Sequence, residues 1–261
     1  MDTDFARLHD GPGPLLLPNA WDVPSALGFV AAGHPAIATT SQGVASSLGR
    51  PDGGRATREA NLALARALVR LPVPVSIDIE DGYSDDAGEV AAYVAELASL
   101  GVAGVNVEDS IDGHLVDPAA YVAKVGAVKD RAPEVFLNAR VDTYWFHQDD
   151  TVAGTLARAT AYVAAGADGI FVPGLADHEA IAEIAAALPV PLNVLPVPGL
   201  DLAALAALGV RRVSTGSAPY RSALAAAVAV AESVREGLPL PDAVPYADLQ
   251  ARLTTYADDL G

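Results

Sequence analysis

The chain contains no cysteine, which excludes disulfides, thiolate metal sites and cysteine nucleophiles together. Histidine is scarce as well. His9, His34, His114, His147 and His178 are scattered without HxH or HExxH spacing, so zinc has no ligand set here. Basic residues are outnumbered, 16 Lys and Arg against 33 Asp and Glu, for a formal net charge of −17. At that charge nucleic acid and anionic membrane are repelled at long range, and the partner to expect is a small molecule. No stretch reaches the ~18 uncharged apolar residues of a membrane span. The opening MDTDFARLHDGPG has neither the basic nor the apolar portion of a secretory leader, so a cytoplasmic protein is expected. The dinucleotide fingerprint GxGxxG is also missing after the first apolar run, where LLLPNAWDVP stands instead.

What the chain does have is 261 residues with 51% hydrophobic content, enough to bury a full core in one domain. Short Val/Ile/Leu-rich runs near Leu15–Pro18, Ala36–Thr40, Val73–Ile79, Ala103–Val107, Val135–Ala139, Gly169–Val172, Val190–Val194 and Arg211–Ser214 read as buried parallel strands. Alanine-rich segments between them read as helices: Thr57–Leu71, Asp86–Leu100, Asp117–Asp130, Thr151–Ala165, Asp177–Leu188 and Asp201–Leu208. Several open on Thr or Asp, whose side-chain oxygen can accept an orphan backbone N–H, and several close near Gly. Repeated β-then-α units imply right-handed crossovers, and eight of them fit an α/β fold of the (β/α)8, TIM-type class, with an open doubly wound sheet as the rival. The expected organisation is a single barrel over 1–261, with 219–261 as a helical extension. That extension comprises a helix over Pro219–Arg235, a Pro-broken stretch and a last helix near Tyr246–Asp258.

Polar groups follow most of the strands rather than clustering at one switch point: Asn19, Thr40, Ser41, Asp78, Glu108, Arg140, Asn193 and Thr215. A closed ring gathers such groups at one mouth, which favours the barrel. In VSIDIEDGY, Asp78 and Glu80 are two apart on a strand, so alternation points both at that mouth, and Glu108 in GVNVED arrives from the next strand. Converging carboxylates repel and raise one another's pKa values. A hard divalent cation relieves this, and an all-oxygen set favours Mg²⁺ or Mn²⁺. Asp78, Glu80 and Glu108 are therefore the candidate metal ligands, the alternative being a set of capping or ion-paired acids. Arg140, ending a strand in LNAR, is placed to grip a carboxylate bidentately or to serve as partner to Asp142 or Glu108. Among the scarce aromatics, Trp21 follows the first strand and is expected to line the pocket.

The order SQGVASSLGRPDG, IDIEDGY, GVNVEDS, NARVD and ADGIFVPG, from about Asn19 to about Tyr220, resembles the isocitrate lyase/phosphoenolpyruvate mutase superfamily. The resemblance implies a Mg²⁺-dependent barrel that binds 2-oxo acids or their enolates and makes or breaks C–C or C–P bonds beside the carbonyl. It also implies a homodimer or homotetramer that exchanges its last barrel helix between subunits. Asp78 matches the metal ligand of the family's DxDxGYG motif and Glu80 its second acid, with Ser84 in place of the last Gly. Glu108 matches the strand-ending acid that holds metal-bound water, and Asp52 the acid behind the substrate loop. Arg140 matches the carboxylate clamp, and Thr40, Ser41 and Gln42 the loop that grips the oxo acid, with Asn193 placed beside the substrate.

The chain departs from the family in the loop after the ED pair, which reads EDSIDGHLVDP. The lyases carry a KKCGH-like sequence there, whose thiol acts as acid or base. Here there is no Cys and no Lys, which argues against isocitrate or methylisocitrate cleavage by the usual route. The Lys and Asn of phosphonopyruvate chemistry are missing too. His114 is left as the titratable group in that loop with a pKa in the useful range, and so is the candidate acid–base residue. The leading expectation is a Mg²⁺-dependent lyase or hydrolase of a small 2-oxo acid or oxo-diacid. The alternatives are a non-catalytic 2-oxo acid binding protein and a class II pyruvate aldolase-like enzyme. The DxE spacing on one strand disfavours the aldolase.

Overall fold

In the computed structural model, which describes residues 3–258, the strands are β1 (Leu15–Leu17), β2 (Asn19–Ala20), β3 (Ile37–Thr39), β4 (Val75–Asp78), β5 (Gly104–Glu108), β6 (Ser110–Ile111), β7 (His114–Leu115), β8 (Phe136–Arg140), β9 (Gly169–Phe171), β10 (Leu192–Val194) and β11 (Arg212–Ser214). Nine of them form one parallel sheet in the order β1-β11-β10-β9-β8-β5-β4-β3-β2, and β6 and β7 form a separate antiparallel pair. β1 pairs with β11 while β2 pairs with β3, so these two short pieces close the ring as halves of one strand. The break falls at Pro18, which has no N–H to give the ladder although its carbonyl still accepts from Ala38 N at 2.8 Å. The fold is thus a TIM-type barrel, and the expected first strand Leu15–Pro18 is split by its own proline.

The helices run where the caps place them. Asp86, Asp117, Thr151, Asp177 and Asp201 each accept a backbone N–H at the start of the helix that follows. Thr57 caps nothing, because its hydroxyl is spent on Glu80. Five short helical segments lie outside the sequence reading: Asp4–Arg7, the 3-10 turn Leu8–Asp10, Val23–Ala31, Ser41–Ser47 and Thr143–Phe146.

Alternation along the strands sorts the side chains into two regions. Val75, Ile77, Val105, Val107, Leu137, Ala139, Leu192, Val194 and Val213 join the main apolar core, which also takes in Leu62, Leu68, Val90 and Leu97 of the surrounding helices. Their neighbours of opposite parity, Ser76, Asn106, Asn138, Asn193, Arg212 and Ser214, are buried polar residues. The barrel interior is therefore hydrogen-bonded rather than oily: Asn138 donates to Asn106 Oδ1 at 2.9 Å and Asn193 to Ser214 Oγ at 3.0 Å. At one end this interior is plugged by the N-terminal segment. Phe5 meets Phe136 edge-on at 5.6 Å, and His9 stacks on Phe136 at 4.5 Å. Residue 104 must be Gly, since a Cβ there would fall 2.8 Å from the Phe5 ring.

In the C-terminal part, helix Tyr246–Asp258 docks on the barrel through Tyr256, whose hydroxyl donates to Ala67 O at 3.0 Å beneath the Arg70 guanidinium. Helix Ala218–Glu236 is different, because after Tyr220 it leaves Leu224, Val228, Val230 and Val234 exposed. No helix of the described residues is long and apolar enough to cross a membrane.

Candidate active site

The open end of the ring holds a cavity of about 590 Å³ lined by Asn19, Thr40, Ser41, Gln42, Asp52, Asp78, Glu80, Glu108 and Arg140 among others. Inward parity carries Asp78, Glu108 and Arg140 there from the last positions of β4, β5 and β8, and register sets Glu108 beside Arg140. Asp78 is fixed by its neighbours. Its N–H donates to Thr39 Oγ1 at 2.9 Å, and its Oδ2 accepts from Ser41 N at 3.0 Å. Its other oxygen, Oδ1, is buried and has no hydrogen-bond partner. Burial raises the Asp78 pKa, the charges of Arg140 and the Ser41 amide oppose that rise, and Asp52 adds to it.

Glu80 reaches the cavity by another route than alternation. β4 ends at Asp78, and Glu80 adopts a left-handed backbone with φ 50°. Its carboxylate accepts from Thr57 Oγ1 and from Arg55 N at 2.9 Å. Arg55 is itself held by Asp81, Nε to Oδ1 at 3.0 Å, and Asn61 ties Asp78 O to the Tyr83 hydroxyl. Burial raises the Glu80 pKa, against the pull of these two donors. Glu108 is held by Arg140, Nη1 to Oε1 at 2.5 Å, while Arg140 Nε donates to Asp142 Oδ1 at 2.6 Å. Burial pushes Glu108 well above the usual carboxylate range despite Arg140, and Asp142, Asp78 and Asp52 push the same way. Burial alone would lower the Arg140 pKa, but the charges of Asp142, Glu108 and Asp78 outweigh it and keep the guanidinium protonated. Each of the three acids has its own donors, and all three line the one cavity. Among the described residues no three of His, Asp and Glu form a ready-made cage.

The remaining expected residues divide. Thr40 caps helix Ser41–Ser47 through Gly43 N, which puts Ser41 and Gln42 in its first turn at the cavity. Asp52 also reaches the lining, its pKa raised by burial and lowered by the Ser41 hydroxyl and Arg140. Trp21 and Asn193 are not brought to the cavity. Trp21 packs edge-on against Tyr220 at 5.3 Å, and Asn193 bonds Ser214 inside the barrel. His114 is likewise outside the lining and exposed.

The segment after the ED pair is no long loop. β6 and β7 make a two-residue hairpin whose turn, Asp112–Gly113, has φ of 49° and 78°, the left-handed pair of a type I′ turn. Gln148 clamps it, accepting from Leu115 N at 3.1 Å and donating to Gly113 O at 2.7 Å. His114 is exposed and outside the lining, whereas Ile111, Asp112 and Gly113 reach the cavity. Asp-Gly between two short runs is a hairpin signal, and it was legible in SIDGHL. Asp109 and Asp142 belong to the scaffold: Asp109 accepts from Asp142 N at 2.8 Å and Tyr162 at 2.7 Å, and Asp142 accepts from Ser110. Phe171, Leu195 and Arg221 also line the cavity, and nothing in their sequence context marks them.

Residues 5–235 match the family model described as phosphoenolpyruvate phosphomutase. An uncharacterized protein of Mycobacterium tuberculosis (strain ATCC 25618 / H37Rv) is 56% identical over 252 residues, covering 97% of this chain and 96% of its own. The oxaloacetate decarboxylase of Bradyrhizobium sp. (strain ORS 278) is 30% identical over 227 residues, 81% of this chain and 77% of that one. The crystal structure of 2,3-dimethylmalate lyase, a PEP mutase/isocitrate lyase superfamily member, superposes with a TM-score of 0.84 at 26% identity, over 100% of both chains.

Proposed function

The chain belongs to the phosphoenolpyruvate phosphomutase family, within the isocitrate lyase/PEP mutase superfamily, and from that premise we propose a divalent-cation-dependent lyase or hydrolase of a small 2-oxo acid or oxo-diacid. The observation that carries this reading is Asp78 Oδ1, a buried carboxylate oxygen without a hydrogen-bond partner, at the same cavity as Arg140. A buried anion left unpaired is costly, and a hard cation is the partner that an all-oxygen lining supplies best. Mg²⁺, or Mn²⁺, fits with Asp78 as direct ligand and Glu80 and Glu108 as holders of its water shell. When bound, the cation supplies positive charge beside the oxo oxygen, where negative charge collects as the adjacent bond breaks.

The chain's own residues do the rest. Arg140, kept protonated and braced by Asp142, grips the substrate carboxylate with its fork. Ser41 and Gln42 orient the oxo acid against Asp78, and Asp52 faces the bond that changes. Proton transfer from the hairpin falls to Asp112, which lines the cavity where His114 does not. A binder without turnover is the second reading, favoured by the hairpin's lack of Cys and Lys. The same proposal extends to assembly: a homodimer or homotetramer in which exchange of helix Ala218–Glu236 covers its exposed Leu and Val side chains, checked by light scattering.

The test is calorimetric titration with oxaloacetate, 2-oxoglutarate and pyruvate, with and without Mg²⁺, followed by product analysis. Mg²⁺-dependent binding with turnover is the expected result. Binding without products moves the protein to the second reading, and binding that ignores the metal overturns the first.

A further inference from the structure

We propose that the ligand of this cavity is a 2-oxo acid with one carboxylate and an apolar tail, rather than a di- or tricarboxylate. The inference rests on the 2-oxo acid reading above and narrows it. Two independent observations point to it, one electrostatic and one steric.

The charge in the lining is one-sided. Asp52, Asp78, Glu80, Asp81, Glu108 and Asp112 face the cavity, against Arg140 and Arg221, and the lining has no Lys and no His. Arg140 is already engaged by Glu108 and Asp142. It offers its remaining capacity to one carboxylate. Arg221 is exposed on helix Ala218–Glu236, where water weakens its pull. Asp81 is already paired with Arg55 and Lys124, and a divalent cation at Asp78 is taken up by the other acids. A second or third carboxylate would therefore enter the cavity beside acids, with no uncommitted buried cation in the lining to receive it.

The wall around Arg140 is apolar. Its guanidinium carbon lies 5.7 Å from the Trp145 ring and 5.8 Å from the Phe171 ring. Phe146 abuts the hairpin tip, since a Cβ on Gly113 would come 3.8 Å from its ring. Leu195 is pressed against the opposite loop, where a Cβ on Gly216 would come 3.0 Å from its Cδ2. Pro173 and Pro196 complete that side. These residues come from the segments after β8, β9 and β10, so the apolar surface is continuous around one half of the mouth. Such a wall favours a tail that leaves water, by about fourfold for each methylene fully buried. A charged tail would lose its hydration there without a partner.

The experiment is calorimetry on the intact protein in Mg²⁺ with pyruvate, 4-methyl-2-oxopentanoate, phenylpyruvate and oxaloacetate. The expected order has the two apolar-tailed acids at least about tenfold tighter than pyruvate, with oxaloacetate no tighter than pyruvate. Oxaloacetate binding more tightly than the apolar acids overturns this inference while leaving the 2-oxo acid reading in place. Absence of binding by all four overturns both. Leu195→Arg sets a cation in the wall and is expected to reverse the order in favour of oxaloacetate. Should that variant fail to fold, Trp145→Ala serves, because Trp145 is 49% exposed and outside the core. It is expected to weaken phenylpyruvate several-fold more than pyruvate. An unchanged preference in a folded variant counts against the apolar wall.

Discussion

The two ends of one barrel carry opposite solutions to the same problem, how to fill the inside of a ring of strands. At the N-terminal end the ring is closed by packing: Phe5, Leu15, Leu17, Ala36, Ala38 and Phe136 form a small apolar cluster, and His9 lies flat on Phe136. At the C-terminal end it is left open, lined by acids, among them Asp78 and Glu108, whose pKa values burial has raised, and by an arginine that holds Glu108 and is braced by Asp142. Between the ends stands Arg212, buried, donating to Ser214 and Asn106 with Nη1 unpaired. Burial lowers its pKa to about 9, and Asp78 pulls it back up, so a cation stands inside the barrel, outside the cavity lining, below the acidic mouth. The lesson is that the closed end stores stability, whereas the open end holds charge at a cost to stability.

That contrast can be broken from either side. The largest effect belongs to the closed end. Phe5→Ala removes the ring that fills the barrel floor and is expected to cost about 3–5 kcal/mol in chemical denaturation. Ligand affinity of the folded fraction should be unchanged, and a loss of affinity equal to the loss of stability would show that the two ends are not separable.

Acid should act next, through His9. Its Nδ1 donates to the carbonyls of Phe5 and Ala6, its Nε2 is buried without a partner, and burial lowers its pKa to about 4. A base with a lowered folded pKa contributes its full stability above the unfolded value of about 6.5 and loses it as pH falls towards 4. The loss is on the order of 3 kcal/mol. Asp109, raised from 3.8 to about 6 by burial, works in the opposite sense between those two values, over all but the top of that window. The comparison of parent with His9→Leu isolates the imidazole: the parent's stability should fall relative to the variant between pH 6.5 and 4, and parallel curves would refute the assignment.

At the open end, Asp78→Ala is expected to weaken Mg²⁺-dependent binding of a 2-oxo acid by roughly a hundredfold, with the fold retained. Undiminished binding that still requires the metal would remove Asp78 from the metal site. The smallest effect is expected from His114→Ala, which touches an exposed side chain outside the cavity: stability within about 0.5 kcal/mol and an unchanged pH profile of turnover. A shifted profile would restore the histidine as the proton carrier.

The strand positions could be read from the chain because parallel strands buried on both faces leave uninterrupted Val, Ile and Leu runs, and the helices because Asp and Thr sit at their caps. Asp78, Glu108 and Arg140 were legible for the same reason: each ends a strand with inward parity. Glu80 was placed at the right cavity by an argument that stops at Asp78, since the chain turns left-handed there. Trp21 was expected at the pocket wall and instead meets Tyr220, because position after a strand says nothing about which neighbour a ring meets, and Tyr220 comes from the far end of the chain.

By itself the sequence determined the barrel, the absence of thiol chemistry and the strand ends that carry the acids, because those depend on composition, periodicity and short-range caps. Only the tertiary structure decided which acid keeps an unpartnered oxygen, that the segment bearing His114 folds as a hairpin with that side chain exposed, and that Trp145 and Phe171 flank the arginine. Those outcomes depend on contacts between residues far apart in the chain, whose partners are set when the ring closes.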